Sequence, residues 1–152
     1  MQQELFNIMN RHSVITFHYQ ADNFRLREAG QLKSWLAEVA SKFEYKVATL
    51  TYVFVTDEAL LEMNRIHLQH DYYTDIITFD LSEGETIEGE LYISVDRVRD
   101  NAKSLGISAT QEMRRVLAHG LLHLCGLGDK TPEEILNMRQ AEEEALHHFL
   151  KK

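Results

Sequence analysis

The stretch His119-Gly120-Leu121-Leu122-His123-Leu124-Cys125-Gly126-Leu127-Gly128-Asp129 organises the rest of the chain. Four helical residues advance the chain by about 400°, so two histidines at that separation share a face, with about 6 Å between their side-chain bases. That spacing suits two imidazoles gripping one zinc ion. Gly126 follows where a helix would end, since glycine readily takes the left-handed conformation of a helix stop. A chain that turns there can bring Asp129 back as a third ligand. Three protein ligands leave one coordination position open, which is the pattern of a catalytic zinc and not a structural one. The flanking Val116, Leu117, Leu121, Leu122 and Leu124 predict a buried helix, where imidazoles need partners.

Outward from this helix the sequence alternates strands and helices. Ser13–Tyr19 and Ala48–Val55 read as strands, rich in β-branched and aromatic residues. Between them Arg27–Phe43 is amphipathic, with Leu32, Leu36, Val39 and Phe43 on one stripe and Trp35 beside it. Thr56 or Asp57 caps a helix over Glu58–His67. Thr74–Phe79 and Glu90–Val95 read as a hairpin joined by a polar turn over Ser82–Glu88. Asp96 is expected to cap a helix reaching Leu105 and Gly106 to end it. Ser108 is expected to cap the histidine helix, and Thr131-Pro132-Glu133-Glu134 to open a last helix running to Leu150. The expected fold is α+β: a single domain over residues 1–152, with about four strands in one mixed sheet and helices packed against it.

Composition narrows the function. The chain has 152 residues, 44% apolar and 26% charged, as in an ordinary water-soluble domain that buries about 68–70% of its unfolded surface. Residues 2–11 show no basic-then-apolar leader, and no run approaches a membrane span. One cysteine, Cys125, precludes an internal disulfide and fits a reducing compartment. The cytoplasm is the expected location. A net charge of −8 argues against broad non-specific nucleic-acid binding, which needs many Lys and Arg contacts to phosphate. RNA would instead require a local basic rim, for which Lys33, Lys42, Lys46, Arg97, Arg99, Lys103, Arg114 and Arg115 are candidates.

The spacing also matches the long zinc-protease signature H-E-x-x-H-x-x-G-x-x-H, with Asp129 in the third-ligand place. Those enzymes carry a glutamate base directly after the first histidine. Here Gly120 stands there and has no proton acceptor. A phosphodiester substrate, which brings acid–base groups of its own, fits such a site better than a peptide. Thr74 and Asp75 either line the cleft and hold substrate or bond their local backbone. Glu112, seven residues before His119, either hydrogen-bonds a buried partner or orients a ligand, or else forms a surface salt bridge with Arg114 or Arg115. Cys125 is expected to be a packed thiol. His70, His147-His148 and the acidic run Glu142–Glu144 are expected at the surface.

The run His119-Gly-Leu-Leu-His-Leu-Cys-Gly126, with Asp129 ten residues after the first histidine, resembles the signature of the bacterial YbeY family. Met63-Asn64, Asp71, Thr74–Phe79, Gly89–Ser94, Met138 and Glu142 resemble further segments of that family. The likeness spans about residues 50–146. It implies a small, metal-dependent endoribonuclease of ribosomal RNA maturation, acting on single strands and partnered by ribosomal particles. It implies Zn²⁺, or another divalent transition metal, held by His119, His123 and Asp129, with substrate at Thr74 and Asp75. The sequence departs from the family at three places. Asp129 replaces the usual third histidine, Leu68 replaces a usual arginine, and Tyr73 replaces a usual proline. Arg65, His67 or His70 are candidates to supply the missing positive charge. A different metal-dependent hydrolase, peptidase- or amidase-like, and a ribosome assembly factor with little catalysis remain as alternatives.

Overall fold

A computed structural model describes residues 14–151. Ser13 and the leaderless reading of residues 2–11 lie outside them. The described strands are β1 (Val14–Tyr19), β2 (Lys46–Val55), β3 (Ile76–Asp80) and β4 (Thr86–Ser94). They form one sheet in the order β1-β2-β4-β3. The pairs β1–β2 and β2–β4 are parallel, and β3 runs antiparallel to β4 as the expected hairpin. The helices are α1 (Ala29–Lys42), α2 (Asp57–Leu68), α3 (Val95–Leu105), α4 (Ala109–Leu124) and α5 (Pro132–Leu150). The mixed sheet with helices packed on it is the α+β architecture read from the sequence. No described helix is long and apolar enough to cross a membrane.

The pleat of β2 separates two apolar layers. Val47, Leu50, Tyr52 and Phe54 join the larger core with α1, α3, α4 and α5. Val53 and Val55 point the other way, to Leu60 of α2 and Ile77 of β3. Burial on both faces explains why the end of β2 is continuously apolar. Trp35 sits in the larger core and donates its indole N–H to the Ala145 carbonyl, 2.8 Å away, joining α1 to α5.

Helix ends follow the expected chemistry with one exchange. Thr56, Ser108 and Thr131 accept from the backbone N–H three residues on, and Thr131 with Glu134 completes a capping box. Asp96 does not cap α3. Ser94 does, accepting from Arg97 N–H at 3.1 Å. Asp96 instead accepts the backbone N–H of Asp57 at 2.9 Å, so it serves the start of α2. Because Val95 is already helical, β4 ends at Ser94, and it begins at Thr86 within the stretch read as a turn. Thr74 and Asp75 precede β3 and are not part of it.

Gly120 decides where α4 crosses the sheet. A Cβ on Gly120 would lie 2.4 Å from Leu91 Cδ2 and 2.7 Å from Ile76 Cδ1. The helix therefore rests on β3 and β4 at the residue next to His119. That close approach sets the imidazoles beside the segment leading into β3.

Candidate metal centre

Helix α4 carries His119 and His123 with ring centroids 4.6 Å apart and planes at 89°. It stops in a Schellman motif: Gly126 N–H donates to His123 O at 3.0 Å and Leu127 N–H to Leu122 O at 3.0 Å. Gly126 has φ +96°, as the sequence predicts. This stop places the Leu127 carbonyl 2.8 Å from His123 Nδ1. It also turns the chain so that Asp129 Oδ2 lies 3.1 Å from His123 Nε2 and 3.5 Å from His119 Nε2. The two Nε2 atoms are 3.1 Å apart.

The protons on these rings follow from their other partners. The Leu127 carbonyl only accepts, so Nδ1 of His123 carries the proton and Nε2 holds a lone pair. His119 Nδ1 lies 2.6 Å from Glu142 Oε2, and a carboxylate there fixes the same tautomer. Three acceptor atoms, Nε2, Nε2 and Oδ2, thus converge with no proton to share among neutral rings. A cation resolves that repulsion. Ligands at about 2.0–2.1 Å in a tetrahedron are separated by about 3.3 Å, and the observed edges of 3.1, 3.1 and 3.5 Å match. These residues fit a metal ion; among the described residues they form the one His/Cys/Asp/Glu group of this kind.

Behind His119 lies a charge network that the sequence pattern misplaces. Glu142 is not on a solvated face: it is 4% exposed and receives both His119 Nδ1 and Arg115, the latter at 3.3 Å. Glu112 is fully buried and forms two 2.7 Å hydrogen bonds with Arg115. Of its expected roles it takes the buried hydrogen bond, with Arg115 as the partner, and not a surface salt bridge. The signal for Glu142 is present as the 3.6-residue spacing from Met138 and Ala145, both buried, but three consecutive glutamates mask it. Arg115 is pushed above its usual pKa, chiefly by its hydrogen bonds to Glu112.

A groove of about 570 Å³ opens beside the triad, bordered by Leu68, Thr74, Asp75, Thr78, Asp80 and Lys130. Thr74 and Asp75 thus lie together with His119, His123 and Asp129. Asp75 is anchored by its carbonyl, which accepts Ser94 N–H at 2.9 Å, and its carboxylate accepts from Asn101 at 3.4 Å. Burial raises its pKa, outweighing Arg115 at 3.9 Å.

Arg65, His67 and His70, the residues expected to replace the missing arginine, do not border the groove. Arg65 is bound to Asp71 at 2.6 Å, His67 packs edge-on against Phe79, and His70 stacks on Tyr72 at the surface. Arg97 is paired with Asp57 at 2.6 Å. Lys130, which no sequence signal marked, borders the groove directly. Cys125 is the expected packed thiol, 6% exposed, and burial pushes its pKa up to about 12. His148 is not the free surface residue expected; it bonds Glu38 at 2.7 Å.

A family model described as Endoribonuclease YbeY matches residues 14–150. The relative from Cytophaga hutchinsonii, named Endoribonuclease YbeY, is 47% identical over 137 residues, covering 90% of this chain and 96% of its own. Its namesake from Bacteroides thetaiotaomicron is 42% identical over 130 residues, covering 84% and 95%. A solution structure from Thermotoga maritima shares the fold with a TM-score of 0.63 at 23% identity, over 91% of this chain and 93% of that one. The resemblance first visible around His119 extends along nearly the whole described chain, which belongs to the YbeY endoribonuclease family.

Proposed function

We propose that this chain is a zinc-dependent endoribonuclease, specific for single strands, that acts on ribosomal RNA and on ribosomal particles in the cytoplasm. It works as one domain. The observation that carries the reading is the convergence of His119 Nε2, His123 Nε2 and Asp129 Oδ2 within 3.5 Å of one another, with both imidazoles held by a second partner. His119, His123 and Asp129 would hold the metal, and a related divalent ion fits the same donor set. Zinc bound there supplies Lewis acidity toward a phosphoryl oxygen and acidifies water to a pKa of about 7.

The chain's own residues do the rest. Glu142 and the Leu127 carbonyl lock the two imidazole tautomers. Thr74 offers a hydroxyl, and Asp75 a carboxylate of raised pKa, toward a strand lying in the groove. Lys130 offers a positive charge to a phosphate there. The peptidase alternative loses ground for a packing reason. A glutamate at position 120 would drive into Leu91 and Ile76, so this helix has no room for the zinc-protease base.

The test is to replace His119 with Ala and measure zinc content and cleavage of single-stranded ribosomal RNA in parallel. Loss of both is expected; retention of both would sink the assignment.

A further inference from the structure

A second recess lies apart from the His119 groove, between the segment after β1, helix α3 and the first half of α4. It encloses about 490 Å³. Its floor is apolar, built by Leu32, Val98, Met113 and Leu117. Arg25, Arg27, Arg99 and Arg114 border it, against one carboxylate, Glu28. In a chain with 24 acidic and 16 basic residues, four arginines around one recess is a local inversion of charge.

Three of these arginines, Arg25, Arg27 and Arg99, meet no carboxylate among the described residues. Arg25 lies over the Tyr19 ring at 4.4 Å, Arg99 over Phe24 at 5.9 Å and Arg114 over Phe149 at 4.3 Å. Stacking on a ring fixes the plane of a guanidinium and leaves its charge intact. Arg114 alone meets the Glu28 carboxylate, at 3.4 Å. Arg25, Arg27 and Arg99 form no ion pair with any described residue. Five N–H donors per guanidinium exceed the single backbone carbonyl that Arg25 and Arg99 each engage, Phe24 O at 2.9 Å and Asn23 O at 3.5 Å. The start of α4, at Ala109 and Thr110, also borders the recess and adds the positive end of a helix dipole.

We propose that this recess docks a second segment of the single-stranded RNA substrate, with a base against the apolar floor and its flanking phosphates on the arginine forks. The proposal rests on the nuclease reading above. A nucleotide pairs a flat apolar face with a phosphate on either side, which is the pattern of this recess. Guanidinium forks suit phosphate bidentately, and base stacking with a cationic groove is the common mode of single-strand binding.

The test compares wild type with the triple variant R25Q/R27Q/R99Q, none of whose positions borders the His119 groove. The probe is a fluorescein-labelled, cleavage-resistant 2′-O-methyl oligouridylate, followed by anisotropy across a salt series. The triple variant should bind at least about tenfold more weakly. Its slope of log affinity against log salt should shrink by about 0.7 for each phosphate it no longer neutralises. Cleavage of a short oligoribonucleotide that fills the metal groove alone should stay at the wild-type rate, while KM for a long strand rises. R27Q alone, at a residue with no described partner, should still flatten the slope and guards against a folding artefact in the triple variant. Unchanged affinity and slope in both variants, with wild type cutting RNA, would overturn the docking proposal by itself. Loss of polyglutamate binding with RNA binding intact would also overturn it, in favour of an acidic protein partner. A wild-type protein that neither binds nor cuts single-stranded RNA would bring down the nuclease reading as well.

Discussion

Glu142 Oε2 lies 2.6 Å from His119 Nδ1, and the same carboxylate meets Arg115 through its other oxygen at 3.3 Å. One buried glutamate therefore ties helix α5 to the histidine face of α4 and fixes the orientation of the His119 ring. Arg115 also binds the fully buried Glu112 through two hydrogen bonds. Arg115 of α4 thus holds Glu112 and Glu142 together behind His119.

Glu142→Gln retains the volume and an acceptor but removes the charge. Loss of such an outer-shell partner typically costs about 10–100-fold in metal affinity. Zinc competition with a chromophoric chelator should show a drop in that range, with far-UV dichroism unchanged. An affinity equal to wild type would mean that Glu142 merely packs.

Gly120→Ala tests the close crossing of α4 over the sheet. The added methyl meets the terminal methyls of Leu91 and Ile76 inside normal contact distance, so those two side chains must turn away within a packed layer or the helix must lift from the hairpin. Overpacking of this kind costs about 1–3 kcal/mol. At about 2–4 °C per kcal/mol for a chain of this size, thermal denaturation should show a fall of several degrees. Cleavage should fall too, because position 120 adjoins His119 and packs on the hairpin beside the groove. A melting temperature unchanged or raised would show that the crossing has slack.

The histidine helix is legible in the sequence because its two signals are local: spacing along one helix and a glycine stop. The hairpin is legible for the same reason, since β3 and β4 are joined by a short turn. Glu142 and Glu112 are not, because burial of a charge depends on a partner far along the chain. In a string of three glutamates nothing local singles out the first. Lys130 escapes likewise: it reaches the groove through the Schellman turn, whose geometry depends on how the chain leaves α4. Asp96 shows a subtler failure. Its residue type correctly signals a cap, but the helix it serves is α2, brought alongside by the sheet.

Asp75 is a carboxylate held in the groove against its own solvation. Burial raises its pKa and exceeds the opposing pull of Arg115. The folded state therefore binds a proton more readily than the unfolded chain. Stability linked to Asp75 is intact at pH below its ordinary value of 3.8 and declines as pH rises through the raised folded value. Above that raised value the full penalty is present. Asp75→Asn should accordingly raise the neutral-pH melting temperature, an advantage that fades on acidification, while RNA cleavage falls. A melting temperature lowered equally across the pH range would instead make Asp75 a structural anchor through Asn101 and Ser94.

Asp129 brings a carboxylate oxygen to the two imidazoles, 3.1 Å from His123 Nε2 and 3.5 Å from His119 Nε2, and a carboxylate in that place has a chemical consequence. Its carboxylate is 42% exposed, whereas both histidines are positioned by second partners. Carboxylates suit harder ions such as manganese, and imidazoles suit zinc, nickel and iron. Asp129→His should keep zinc and lose manganese preferentially, read by metal content after equilibration with a mixture of the two. Asp129→Ala leaves two imidazoles and should lose at least about tenfold in affinity for both, on the scale by which even outer-shell changes weaken metal sites. If Asp129→Ala bound both metals like wild type, the 3.1 Å approach of Asp129 to His123 would be an ion-free hydrogen bond, and the third ligand would have to be sought elsewhere in the groove.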